Sequence, residues 1–164
     1  MNDIKQILHD FKDGTIDIDE AYLRLKEAPF EDIGYAKVDL HRQLRQGASE
    51  VIYGAGKTPE QIAGIVSVMR SHHQKAILIT RLSPEAHAEL GRLGCDVKYY
   101  PEARAGVAGD IPDPEGKSSV VVATGGTSDI PVAEEAALTA EVLGSRVKRL
   151  YDVGVSGLHR VLSH

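Results

Sequence analysis

One cysteine, two phenylalanines and no tryptophan stand among 164 residues. A lone thiol, Cys95, excludes an internal disulfide and any metal site built from several cysteines. Within RLGCDVKYY it reads as a small buried residue on a strand rather than as a nucleophile. Long apolar runs are missing too. No stretch approaches the roughly 18 residues of a membrane span, and the opening MNDIKQILHDFKDG lacks the apolar centre of a secretion signal. We therefore expect a cytoplasmic protein. Nor is there an excess of one charge: 19 basic against 24 acidic side chains leave −5, which recommends neither nucleic acid nor an anionic membrane as partner. Any anion must be met locally.

What is there is enough apolar side chain, 42% of residues, for one ordinary domain or a small domain with part of another. Residues 2–13 and 18–27 have helical spacing on either side of Gly14 and predict a helical hairpin. IGYAKVDLHRQLRQG then mixes a strand-like piece with a basic stretch, and EVIYG reads as a strand. In TPEQIAGIVSVMRSH, Thr58, Pro59 and Gln61 occupy the cap, first-turn and capping-box positions of a helix. AILIT is a buried strand, SPEAHAELGRLG a second helix with a Ser-Pro start, and DVKYY the next strand. From 101 to 117 the composition turns to Gly and Pro, which marks a linker or boundary. This divides the chain into an N-terminal α/β domain over 1–110, with the leading hairpin, and a second unit over 118–164. That unit reads strand, loop, helix, strand, loop, and so predicts parallel βαβ connectivity. Two strands do not complete a doubly wound sheet, so this unit looks like the start of a domain, and its open edge predicts a homo-oligomer.

Two glycine loops compete for attention. YGAGKTPEQI fails as a P-loop because Val51 stands where the first glycine belongs. It keeps a tight turn and Lys57 beside a helix N-terminus, so Lys57 is either a phosphate or carboxylate ligand or a solvated turn lysine. The later loop follows strand VVVAT. Gly125 and Gly126 permit close backbone approach and positive φ, Thr127 and Ser128 add hydroxyls, Ser128 or Asp129 can cap the helix, and Pro131 opens it. Such a loop lies beyond the carboxyl end of its strand, as does DVGVSGLHR after the next, and the two should face one crevice. An ordinary strand-to-helix turn uses the same residue types. His159 suits proton transfer and Arg160 a bidentate grip on phosphate; Asp152 could hold a ribose hydroxyl or cap its loop. His72 and His73 read as a solvated helix end, and His159 and His164 are wrongly spaced for a helical metal pair, so no metal ligands are expected among the side chains.

GTSDIPVAEEAALTAEVLG with YDVGVSGLHR, and upstream FEDIGYAKVDLHRQLRQGASEVIYGAGKTPEQI and TRLSPEA, resemble the LarB family. Its C-terminal domain is similar to PurE, the aminoimidazole ribonucleotide carboxylase/mutase. The resemblance implies an N-terminal α/β domain followed by the first βαβ unit of a flavodoxin-like (PurE-like) parallel sheet, incomplete here. It implies an enzyme of nickel-pincer nucleotide cofactor biosynthesis that adds CO2 or bicarbonate to nicotinic acid adenine dinucleotide and hydrolyses its phosphoanhydride, with Mg2+ as the candidate metal. Gly125 to Asp129 would hold the ribose phosphate end, His159 and Arg160 the ring or carboxylate end, and Arg45, Lys57 and Arg81 the pyrophosphate or carboxylates. The family's catalytic cysteine follows the equivalent of GLHR, so this chain is expected to be a truncated form that binds nucleotide without carboxylating it. Aminoimidazole ribonucleotide carboxylation and a non-catalytic nucleotide-binding module stay open beside that reading.

Overall fold

A computed structural model of the protein describes residues 4–26, 30–40, 42, 49–114 and 118–162. The chain runs α1 (Ile4–Lys12), α2 (Ile18–Lys26), β1 (Phe30–Asp32), β2 (Lys37–Asp39), β3 (Ile52–Tyr53), α3 (Pro59–Ser71), β4 (Ala76–Thr80), α4 (Pro84–Arg92), β5 (Lys98–Tyr100) and β6 (Ala105–Gly109). There follow β7 (Ser119–Ala123), a 3-10 turn (Thr127–Asp129), α5 (Ile130–Val142), β8 (Arg146–Leu150), a second 3-10 turn (Val155–Gly157) and α6 (Leu158–Leu162). No helix among the described residues is long and apolar enough to cross a membrane.

Helix starts follow their sequence signals. The Thr58 hydroxyl accepts the Gln61 amide at 3.3 Å while the Gln61 side chain accepts the Thr58 amide at 3.0 Å, so two donors that α3 leaves unpaired are satisfied reciprocally. Ser83 does the same one-sidedly for α4, accepting the Ala86 amide at 3.1 Å. Both helices cover one face of a four-stranded sheet ordered β3-β4-β6-β5. Pairing in it is mixed: β3 and β4 are parallel, whereas β6 runs antiparallel to both β4 and β5.

β4 reads AILIT with no polar alternation because both of its faces are covered. Ile77 and Ile79 pack with Ile62, Val66 and Met69 of α3 and Leu90 of α4. Ala76 and Leu78 point to the opposite face, where they meet Ala105 and Val107 of β6 and Leu138 and Val142 of α5. Each such side chain contributes about 1.5–3 kcal/mol by leaving water.

β6 lies inside the stretch that composition marks as linker, and the reason is steric. A Cβ on Gly106 would stand 2.6 Å from Val97 Cγ1 and 2.8 Å from Leu82 Cδ2, and one on Gly109 would strike the Lys75 carbonyl. These glycines are packing residues of a central strand, and the Gly- and Pro-containing connection between β6 and β7 is confined to 110–118. Gly106→Ala is expected to destabilise the protein by about 1 kcal/mol through overpacking, read as a lower urea midpoint with an unchanged m-value.

β7 and β8 form the expected parallel pair, in register from Ser119↔Arg146 to Ala123↔Leu150, with α5 between them in sequence. α5 is apolar nearly all round, which suits a helix covered on more than one side. Leu138 and Val142 enter the core of the four-stranded sheet. Toward β8, Glu134 accepts Arg149 Nε at 3.1 Å, Glu141 takes both terminal nitrogens of the same guanidinium, and the Tyr151 hydroxyl donates to Glu134. α5 thus joins the two parts of the chain. Burial first, and Glu134 second, push the Tyr151 phenol up to about 12.

Candidate functional site

The site is assembled from the loops that leave β7 and β8. Thr124, at 5% exposure, ties them together. Its amide donates to the Leu150 carbonyl (3.0 Å), its carbonyl accepts the Val153 amide (2.9 Å) and its hydroxyl accepts the Asp152 amide (3.0 Å). The loops touch: a Cβ on Gly154 would collide with the Gly125 carbonyl. Gly154 is therefore a site residue that sequence reading passes over, although its place in DVGVSG opposite a second glycine loop was the available signal.

Gly125 and Gly126 behave differently from expectation. Neither has positive φ, and Gly126 is extended (φ −145, ψ 172), a conformation open to any residue. A Cβ would come no nearer than 3.7 Å to Asp129 Oδ2 at Gly125 and 4.0 Å to Ser128 Oγ at Gly126. Neither backbone nor packing demands glycine at these two positions. What the missing side chains leave is open approach to the loop backbone, where the amides of Gly125, Thr127 and Ser128 have no backbone partner among the described residues. That is a cradle an anion can enter.

Capping also differs. Asp129 stands at the head of α5 but makes no side-chain cap bond, and no hydroxyl of Ser128 caps it either; Pro131 does sit in the first turn. The Asp129 carboxylate reaches back and accepts the Gly126 amide at 3.0 Å. It braces the turn and occupies one donor of the cradle.

In the second loop Asp152 adopts φ +58, the left-handed region where a non-glycine residue is uncommon. Its carboxylate pairs with Arg160 Nη1 at 2.6 Å. Gly157 makes room for this, since a Cβ there would lie 2.6 Å from Arg160 Nε and 3.2 Å from His159 Cε1. Arg160 is thereby held against Asp152, and its expected grip on phosphate would have to share that partner. His159 is exposed beside it.

The upstream candidates fall elsewhere. Lys57 and Arg81 follow β3 and β4, whose ends meet where the Gly54 amide donates to the Thr80 carbonyl at 2.8 Å; a Cβ on Gly54 would lie 2.8 Å from that same oxygen. Lys57 lines a cavity of about 320 Å³ with Tyr35, Glu50, Ile52, Tyr53 and Ile65. Tyr35 forms its wall because Gly64, inside α3, leaves room for the phenol hydroxyl. Arg81, at φ +53, pairs its Nε with Glu135 of α5 at 2.8 Å, so it fastens the two parts of the chain. Arg45 and His164 lie outside the described residues. Cys95 is buried as expected, though in the connection before β5 rather than on a strand, and burial pushes its thiol up. It lines a different cavity with His87 and Asp96.

Glu50 is a second residue missed in the sequence. It accepts the Asp39 amide at 2.6 Å, yet burial dominates and holds its carboxyl above the usual range. A raised folded value means that its contribution to stability is fullest below the unfolded pKa, about 4.3, and declines as pH rises through the folded value. Glu50→Gln should therefore leave the melting temperature unchanged at pH 3.5 and raise it at pH 7; a drop at pH 7 would contradict this.

Fold and site together define an α/β protein with an anion-accepting crevice at the carboxyl ends of a parallel strand pair. Its family follows from comparison: residues 30–110, from β1 through the end of β6, match the LarB/PurE-like N-terminal domain, and the chain is a LarB/PurE-like protein. It is also 33% identical over 165 residues to an uncharacterised protein of Methanocaldococcus jannaschii, an alignment that takes in 96% of this chain. The chain spans 64% of that relative's length.

Proposed function

We propose that the protein belongs to the carboxylase and hydrolase chemistry of nickel-pincer nucleotide cofactor biosynthesis, and that the β7 and β8 loops hold the ribose phosphate end of nicotinic acid adenine dinucleotide. The family match supports the first part. The observation that carries the second is the pair of glycines, 125 and 126, that nothing in the protein requires, at a cradle stitched to its neighbour through Thr124.

Chemistry constrains what these residues do. CO2 is a weak electrophile and needs an electron-rich carbon, which a pyridinium ring offers only after a nucleophile such as a thiolate has added to it. Cys95 does not qualify, being buried, pushed toward the thiol form and placed in another cavity. The roles left to this chain are binding and orientation: loop amides and hydroxyls of Gly125 to Ser128 on phosphate, the Asp152–Arg160 pair and His159 at the far rim, where His159 can carry a proton. Among the described residues no three His, Cys, Asp or Glu groups are placed to hold a metal ion, and Asp129 and Asp152 both have protein partners, so no step is assigned to Mg2+.

The missing thiol favours a second reading, carboxylation of aminoimidazole ribonucleotide, whose ring is already enamine-like. Incubation with labelled bicarbonate and each nucleotide in turn separates the readings. We expect both nucleotides to be tested for binding, nicotinic acid adenine dinucleotide to bind, and no label to enter it. Label in aminoimidazole ribonucleotide would shift the assignment to the second reading.

A further inference from the structure

The α1–α2 hairpin carries an apolar face that the rest of the chain does not cover. Ile7 and Ala21 are buried between the helices, but Leu8, Phe11, Ile18 and Tyr22 are 51, 43, 67 and 62% exposed. Helical periodicity puts them on one side. Taking 100° per residue from Ile7, Phe11 and Leu8 fall within about 100° in one rotational sense, and Ile18 and Tyr22 do the same from Ala21. Because the two helices run antiparallel, these arcs open onto the same side of the hairpin. The opposite side is independently marked by polar contacts: Gln6 donates to Asp10 at 2.8 Å, Arg24 to Glu20 at 2.8 Å, and Arg24 lies 3.9 Å from Asp10. Two nine-residue helices with one side bare are short of what an isolated pair needs for stability.

We propose that this face pairs with the same face of a second copy of this chain, making a four-helix bundle about a two-fold axis that runs along the helices. The choice of occupant rests on charge. Beyond the apolar arc, the outer edge of α1 carries Lys5 and Lys12, and the outer edge of α2 carries Asp19. With the axis along the helices, α1 of one copy lies antiparallel on α2 of the other, and the lysine edge meets the aspartate edge at both ends of the symmetry operation. Setting α1 on α1 instead would oppose lysines to lysines. The surface is therefore complementary to itself in one orientation, with Lys12 level with Asp19 of the second copy, since the helix ends that flank the hairpin turn lie at one height.

Sedimentation equilibrium of the full chain tests this. The wild type should sediment at twice the mass, or a multiple of it, that Leu8→Glu/Ile18→Glu shows. Lys12→Glu should weaken association about tenfold because two attractive contacts become repulsive. Lys12→Glu/Asp19→Lys should restore it, an effect that loss of folding cannot imitate. A wild-type monomer at all concentrations, an unchanged mass in Leu8→Glu/Ile18→Glu, or a double charge swap no better than the single change would each overturn the proposal.

Discussion

Gly126→Val is expected to fold as well as the wild type and to lose nucleotide binding. The extended backbone at Gly126 suits a β-branched residue, and its Cβ meets nothing within 3.9 Å. Removing glycine also trims the freedom of the unfolded chain, so stability should hold or rise by about 0.5–1 kcal/mol. The two methyls would stand over a backbone that an anion must approach, which should cost about 2 kcal/mol of affinity, a factor of about 30. Gly154→Ala should do the reverse of this on stability, lowering it by about 1–3 kcal/mol because its Cβ collides with the Gly125 carbonyl. Melting curves and titration calorimetry on both variants separate a glycine kept for a ligand from one kept for the fold.

Arg149→Met should be the most destabilising surface change in the molecule. Arg149 is the shared partner of Glu134 and Glu141, whose side chains are only 15 and 27% exposed. Deleting the cation leaves two part-buried carboxylates without it, a loss of 3–5 kcal/mol when pairs are fully buried. Arg149 itself is a third exposed, and solvent screening reduces the figure to about 2–3 kcal/mol. For a chain of this size that is a fall in melting temperature of about 5–10 °C. Tyr151→Phe removes one neutral donor and should cost about 1 kcal/mol. If Arg149→Met melts with the wild type, α5 is held by Leu138 and Val142 alone.

How much of this was legible in the sequence depends on whether a signal is local. Thr58, Gln61 and Ser83 announce their helices because capping is completed within three residues, and AILIT announces β4 because burial on both faces leaves an unbroken apolar run. β6 was hidden: Gly106 and Gly109 look like loop residues until Val97, Leu82 and Lys75 are known to crowd them. The loop pair was legible as a pair, since glycines after successive strands imply adjacent turns. Its details were not, because Asp129 turns back on Gly126 and Arg160 on Asp152 by contacts that only the folded geometry settles. Arg81 looked like a ligand for phosphate for want of its partner, Glu135, which lies 54 positions along the chain.

Titration calorimetry of nicotinic acid adenine dinucleotide into the wild type and Gly126→Val tests the central claim most directly. The account predicts saturable binding to the wild type, about thirtyfold weaker in the variant at an unchanged melting temperature. Equal affinities in the two proteins, or no binding to a folded wild type, would contradict it.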